Sequence, residues 1–103
     1  MIVRVWKARA KAENAPAYRA HLESHVFPIL RSLAGFVGAD LMERVDDDEI
    51  ELIVTSRWET LSAVRGFAGD TYENAVVAPA ARKLLSSYDE DVSHYEVTAE
   101  CKS

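Results

Sequence analysis

Four consecutive acidic residues, Asp46-Asp47-Asp48-Glu49, lie near the middle of this 103-residue chain, and a β-rich segment stands on each side of them. Phe36–Val45 precedes the run and Ile50–Trp58 follows it. Solvated charges between two such segments predict a hairpin turn. A central hairpin constrains the rest of the chain, because both ends must then join its sheet. Ile2 to about Lys11 is rich in β-branched and aromatic residues and alternates in part, which predicts a first strand. Ala12–Leu33 reads as helix, since Tyr18, Leu22, Val26, Ile29, Leu30 and Leu33 recur mostly at spacings of three and four. Pro16 suits the first turn, with Asn14 or Glu13 near the cap. Pro28 removes a backbone donor inside the pattern, so a kink or break is expected near Phe27. Gly35 ends the helix.

Beyond the hairpin, Thr60 caps a short helix, Leu61–Ala68, which Gly69 stops. A second helical stretch is expected over roughly Thr71–Tyr88, interrupted or restarted near Pro79. Asp89–Asp91 turn the chain into a last strand, Val92–Glu100. The order is strand, helix, strand, strand, helix, strand. That is an α+β arrangement, the ferredoxin-like split β-α-β with an antiparallel sheet and helices on one face. No linker or repeat divides residues 1–103, so a single domain is expected. Leu52, Val54 and Trp58 point to one face of their strand, while Ile53 and Thr55 point to the other. Val3 and Val5 likewise oppose Ile2 and Trp6. Helices on one side leave the second apolar set in water, and a second copy of the chain is the simplest cover. A homodimer is therefore expected.

Charge narrows the range of partners. The net charge is −5, and no Lys/Arg run is longer than Arg82-Lys83. Both observations argue against nucleic acid and anionic membrane surfaces. One cysteine, Cys101, cannot build an internal disulfide framework. Arg4, Lys7 and Arg9 interrupt any apolar leader at the start, and no run reaches the ~18–20 apolar residues of a membrane span. A cytoplasmic protein is expected.

Several side chains could carry chemistry. His21 and His25 are four apart on the first helix. At about 100° per residue, His25 falls beside Tyr18 at the edge of the apolar stripe. His25 is therefore expected to reach the sheet side, as a hydrogen-bonded histidine at the core margin or as a pocket residue. No Cys or third His lies nearby in sequence to complete a metal site, and His21-Leu22-Glu23-Ser24-His25 is not the metalloprotease motif. No metal is expected. His94 and Tyr95 face opposite sides of the last strand, so at most one enters a given cavity. Trp58, Phe67 and Tyr72 gather around the exit of the third strand. Arg57 and Arg65 could meet an acidic substrate or be solvated. The acidic run lacks the spacing and central Gly of a calcium loop. Glycines at 35, 38, 66 and 69 make no phosphate loop, and no nucleophile elbow is present.

The start Met1-Ile-Val-Arg-Val-Trp6, the stretch Trp58-Glu-Thr-Leu-Ser-Ala-Val-Arg-Gly-Phe67-Ala-Gly-Asp70 and the ending His94-Tyr95-Glu96-Val97 resemble antibiotic biosynthesis monooxygenase domain proteins. The resemblance implies a dimeric α+β barrel, in which two ferredoxin-like subunits pack sheet against sheet. It also implies a mostly apolar pocket between each sheet and its helices. Members of that family include cofactor-independent oxygenases of aromatic polyketides, quinol oxygenases and haem-degrading enzymes. Haem-degrading members carry an Asn on the first strand, a Trp in the short helix and a His on the following helix. Here Trp6-Lys7, Phe67 and Val76-Val77 stand at those places. Polyketide oxygenases pair the strand-end Trp with an Asn and a Tyr. Trp58 matches that Trp, and Val54 and Val64 occupy the other two positions. The resemblance thus implies a cofactor-independent monooxygenase of a small aromatic or quinol-like molecule. The resemblance carries over Trp58 alone, as a wall; beside it His25 is expected as a hydrogen-bond partner or base, Tyr72 and His94 as further polar candidates, and Phe67 and Phe27 as apolar lining. The competing expectation is a non-catalytic dimer that holds a small ligand or a partner.

Overall fold

The computed structural model describes residues 1–103. Its elements are β1 (Ile2–Lys11), α1 (Ala15–His21), a π-helical turn (Leu22–Val26), α2 (Phe27–Arg31), β2 (Phe36–Asp46), β3 (Glu49–Trp58), α3 (Leu61–Ala68), α4 (Pro79–Arg82), β4 (Ser87–Tyr88) and β5 (Ser93–Glu96). The sheet runs β2-β3-β1, and both β4 and β5 pair with the free side of β1. All pairings are antiparallel. This is the expected ferredoxin-like α+β fold.

The central hairpin forms where the acidic run predicts it. β2 and β3 pair from Asp46↔Glu49 outward, around Asp47, whose φ of 57° is tolerated by a short polar side chain. Arg9 of β1 donates to both flanking carboxylates, Asp46 and Glu49, at 3.0 and 2.9 Å. Pro28 does not end the first helical segment. A π-helical turn precedes it, in which the Phe27 N–H donates to the Leu22 carbonyl. One wider turn absorbs the residue that cannot donate.

The expected helix Thr71–Tyr88 does not form, and only Pro79–Arg82 is helical. Ala78 is held extended at ψ 146° before Pro79. The backbone upstream pairs with the chain's later turn instead. Ala75 N–H donates to the Glu90 carbonyl at 2.7 Å, and Val92 N–H donates to the Glu73 carbonyl at 2.8 Å. Those bonds also split the last strand. Ser87–Tyr88 pairs with Ala8 and Arg9, the chain leaves the sheet, and Ser93–Glu96 returns to pair with residues 2–5. Past Glu96, the Val97 N–H reaches the Met1 carbonyl, where β1 runs out. The expected continuation to Glu100 therefore has no strand to pair with.

Two apolar clusters fill the space between sheet and helices. One contains Ala8, Ala10, Tyr18, Leu22, Leu52 and Ala81. The other contains Leu30, Trp58 and Val64. Val26 and Phe27 pack against both. Registers confirm the face assignments: Ala8, Trp6 and Arg4 share the helix side with Leu52, Val54 and Ser56. The opposite face presents Val3, Val5, Met42, Ile53, Thr55 and Tyr95, bordered by Arg57–Asp40 and Arg44–Glu51 ion pairs.

Gly35 joins α2 to β2 at φ 79°, and a Cβ there would lie 2.6 Å from the Ala63 Cβ. Gly35→Ala is expected to cost about 2 kcal/mol or more in urea unfolding, from left-handed strain and the clash together. Leu52 is fully buried, so Leu52→Ala is expected to cost roughly 2–5 kcal/mol in the same experiment.

Candidate functional site

Between the two apolar clusters lies a cavity of about 70 Å³, lined by Arg4, Trp6, Leu22, Val26, Leu30, Val54, Ser56, Phe67, Val76 and Val92. Eight of these ten are hydrophobic. The two polar ones are also the only polar or charged residues that the fold buries.

Sheet register brings these two together. Arg4 sits opposite Ser56 across β1 and β3, and opposite His94 across β1 and β5. One row of inward-facing residues therefore reads His94, Arg4, Ser56. The Arg4 Nη1 donates to the Tyr72 carbonyl at 2.5 Å and to His94 Nε2 at 3.0 Å, and its Nη2 donates to the Asn74 carbonyl at 3.1 Å. Phe67 lies beneath the guanidinium, 5.6 Å from ring centre to Cζ. Trp58 also stacks on Phe67, at 5.7 Å and 22°, and its indole N–H donates to the Ser56 hydroxyl at 2.9 Å.

The electrostatics are unusual. Arg9, Arg19, Arg44 and Arg57 each meet a carboxylate at the surface. Arg4 is 95% buried yet meets none. Burial lowers its pKa to about 10, which leaves it charged at neutral pH. Holding a cation out of water without a counter-ion costs on the order of several kcal/mol. Two carbonyls and an imidazole solvate this charge without neutralising it. Burial, and secondarily the Arg4 charge, hold His94 below the ordinary imidazole value, against the opposing pull of Glu73. Neutral His94 thus accepts at Nε2 and keeps its proton on Nδ1.

Of the residues expected at a site, Phe67 alone lines this cavity. Trp58 stands directly behind it, fully buried. His94 and Tyr72 meet Arg4 from the edge of the sheet, in a separate open groove that they share with Glu73 and Tyr95. Their rings pack edge to face at 5.4 Å. Phe27 lines a third depression, beside Arg19, Asp40 and Glu43. His25 does not reach the sheet side. It is exposed, stacks on His21 at 5.3 Å, and bonds through Nδ1 to Ser24 Oγ at 2.8 Å. The π-helical turn spans it and shifts its angular phase from the regular 100° step. No group of three or more His, Cys, Asp or Glu side chains is placed to hold a metal ion. Sequence reasoning missed Arg4 and Ser56. Their one signal was a polar side chain on the phase of a strand that otherwise holds Trp6, Ala8 and Ala10, or Leu52, Val54 and Trp58.

The profile of the antibiotic biosynthesis monooxygenase family matches residues 1–78. No curated protein matches the chain. Among solved structures, a Bacillus cereus protein assigned to the antibiotic biosynthesis monooxygenases is 14% identical, with TM-score 0.74 over 100% of this chain and 96% of that one. SnoaB, a cofactor-independent oxygenase from Streptomyces nogalater, is 18% identical, with TM-score 0.63 over 99% and 98% of the two chains. The heme-degrader MhuD from Mycobacterium tuberculosis, with two hemes in its active site, is 17% identical, with TM-score 0.61 over 99% and 100%. At these identities the structures establish a common fold. With the family profile covering most of the sequence, the chain belongs to the antibiotic biosynthesis monooxygenase family.

Proposed function

We propose that this protein is a cofactor-independent monooxygenase of a small aromatic or quinol-like substrate, working as a homodimer. The observation that carries this reading is the apolar cavity between sheet and helices, with its two polar side chains on one sheet row. The oxygenase SnoaB, of the same fold, needs no cofactor. Haem does not fit the residues present. The cavity wall offers no imidazole, thiol, thioether or carboxylate as an iron ligand, and Val76 lines it near the place where haem-degrading relatives would carry a His.

In such a reaction the substrate supplies all the electrons. One oxygen atom of O2 replaces a ring hydrogen and the other leaves as water, while the quinol becomes a hydroxyquinone. The protein's part is to orient the ring and exclude water. Trp6 and Phe67 are the flat walls, and Trp58 holds Phe67 in place from behind. His94 and Tyr72 are the polar candidates, through their contacts with Arg4. Phe27 packs against both apolar clusters and lines the neighbouring depression with Leu22. His25, exposed and stacked on His21, lies outside the cavity lining and is given no role in this reading.

The cavity is smaller than the roughly 150 Å³ that encloses a benzene ring. A substrate must therefore extend past Val76, which is 59% exposed. This tightness favours a second reading, a non-catalytic dimer that holds a small ligand. The outer sheet face, with Val5, Met42 and Ile53 at its centre, is the surface that a second copy would cover.

Oxygen uptake with naphthohydroquinone separates the two readings. The oxygenase reading expects uptake above the protein-free rate, unaffected by chelator, with one labelled oxygen atom in the product. His25→Ala is expected to keep the full rate, and Phe67→Ala to lower kcat/KM roughly tenfold or more. Absence of any protein-dependent uptake across a panel of quinols and phenols leaves the ligand-holding reading. Ile53→Glu is expected to convert a dimer to a monomer in sedimentation; a monomeric wild-type protein would contradict the dimer.

A further inference from the structure

Arg4 carries more donors than the fold uses. Its five N–H groups make three hydrogen bonds: two from Nη1, to the Tyr72 carbonyl and His94, and one from Nη2, to the Asn74 carbonyl. The Nε–H and one Nη2–H are left without a protein acceptor. Ser56 is in the same position. Its oxygen accepts from the Trp58 indole, and no protein group takes the hydroxyl hydrogen. Both residues line the cavity, and they are direct partners across β1 and β3. The remaining wall is apolar, and no fully buried side-chain nitrogen or oxygen lacks a partner, so the Arg4 Nε, which has no protein acceptor, keeps accessible surface where a ligand can meet it.

We propose that Arg4 and Ser56 form an oxyanion-binding subsite, and that the cavity takes the carboxylate or phenolate end of a small apolar molecule. This deepens the reading of the cavity as the substrate site, but it does not depend on turnover. An oxyanion supplies what the site lacks: a negative charge in a low-dielectric space and lone pairs for the spare N–H and O–H groups. Phe67 and Trp6 flank the position and suit a flat ring attached to that group. The rim at Val76 lets the rest of the ligand leave the cavity.

His94 is a positioning residue for this subsite. Its Nε2 is committed to Arg4, so it steers the guanidinium and does not itself meet the ligand. The carbonyls of Tyr72 and Asn74 do the same from the Gly69–Ala78 segment. A purely structural role for Arg4, pinning that segment to the sheet, accounts for the three hydrogen bonds made. It does not account for the donors left over, nor for the absence of a carboxylate beside a buried cation. The two roles differ in one observable, because pinning a segment gives no preference for charged over neutral ligands.

Calorimetric titration of the full chain under anaerobic conditions tests this without any chemistry. Benzoate is compared with nitrobenzene, its planar neutral isostere, and para-nitrophenol is titrated above and below its own pKa. The subsite predicts binding at least about tenfold tighter for an anionic probe than for its neutral counterpart. Preference in the benzoate arm alone assigns a carboxylate ligand, and preference in the nitrophenolate arm alone assigns a phenolate. Arg4→Gln is expected to abolish the preference while leaving nitrobenzene within about twofold. Should that variant fail to fold, the wild-type comparison still decides, with Ser56→Ala expected to weaken the anion about threefold to tenfold. Equal affinities for charged and neutral probes, no binding of either anion, or a preference that survives in a folded Arg4→Gln would overturn the proposal. Charge-selective binding without oxygen uptake would overturn the oxygenase reading alone.

Discussion

β1 pairs with β3 along its whole length, from Ile2↔Trp58 to Lys11↔Glu49, and its other side is taken up by β4 and β5. It is the central strand, and its register decides which side chains meet. Because alternate residues share a face, a slip of one position would exchange the inner and outer sets. In the observed register, Ala8 and Ala10 leave room for Tyr18, Trp6 opens the cavity wall, and Arg4 arrives between Ser56 and His94. The site is thus a consequence of strand pairing more than of any loop.

The same register holds an energetic tension. Thirteen residues are buried, nearly all of them apolar, and the fold still places a guanidinium among them. Backbone carbonyls of Tyr72 and Asn74 point to it from the segment after α3, which turns at residues 70–73 and bridges Asn74 to Asp91 and does not coil into a long helix. The buried charge, the split edge strand and the unwound segment are one connected feature. Binding sites commonly hold groups whose solvation is left incomplete.

Much of the fold was legible because its signals are local. The acidic run marks the hairpin, Thr60 and Gly69 bound α3, and the alternation in β1 and β3 shows a sheet that is apolar on both faces. What was not legible depends on long-range pairing. The stretch before Pro79 has helix-compatible spacing, but the backbone groups of Glu73, Asn74 and Ala75 find partners at Val92, Asp91 and Glu90, 15 to 19 positions away. The phase of His25 depends on a π-helical turn that a uniform 100° step cannot anticipate. Arg4 read simply as a charge near the start of the chain. Its role becomes visible once β5 and β3 lie on either side of it. Trp58 and Phe67 were found from the family pattern, and the structure separates them into a wall residue and the support behind it.

On this reading the buried Arg4 charge faces a ligand site. The most direct measurement is the side-chain Nε–H resonance of Arg4 in an NMR spectrum, followed as benzoate is added. A saturable downfield shift of that proton is expected, accompanied by shifts of the Phe67 and Val76 amides. The ion-paired surface arginines Arg9, Arg19 and Arg57 are expected to stay unmoved. An Arg4 resonance that does not respond, while the surface arginines drift together with added salt, would contradict this reading.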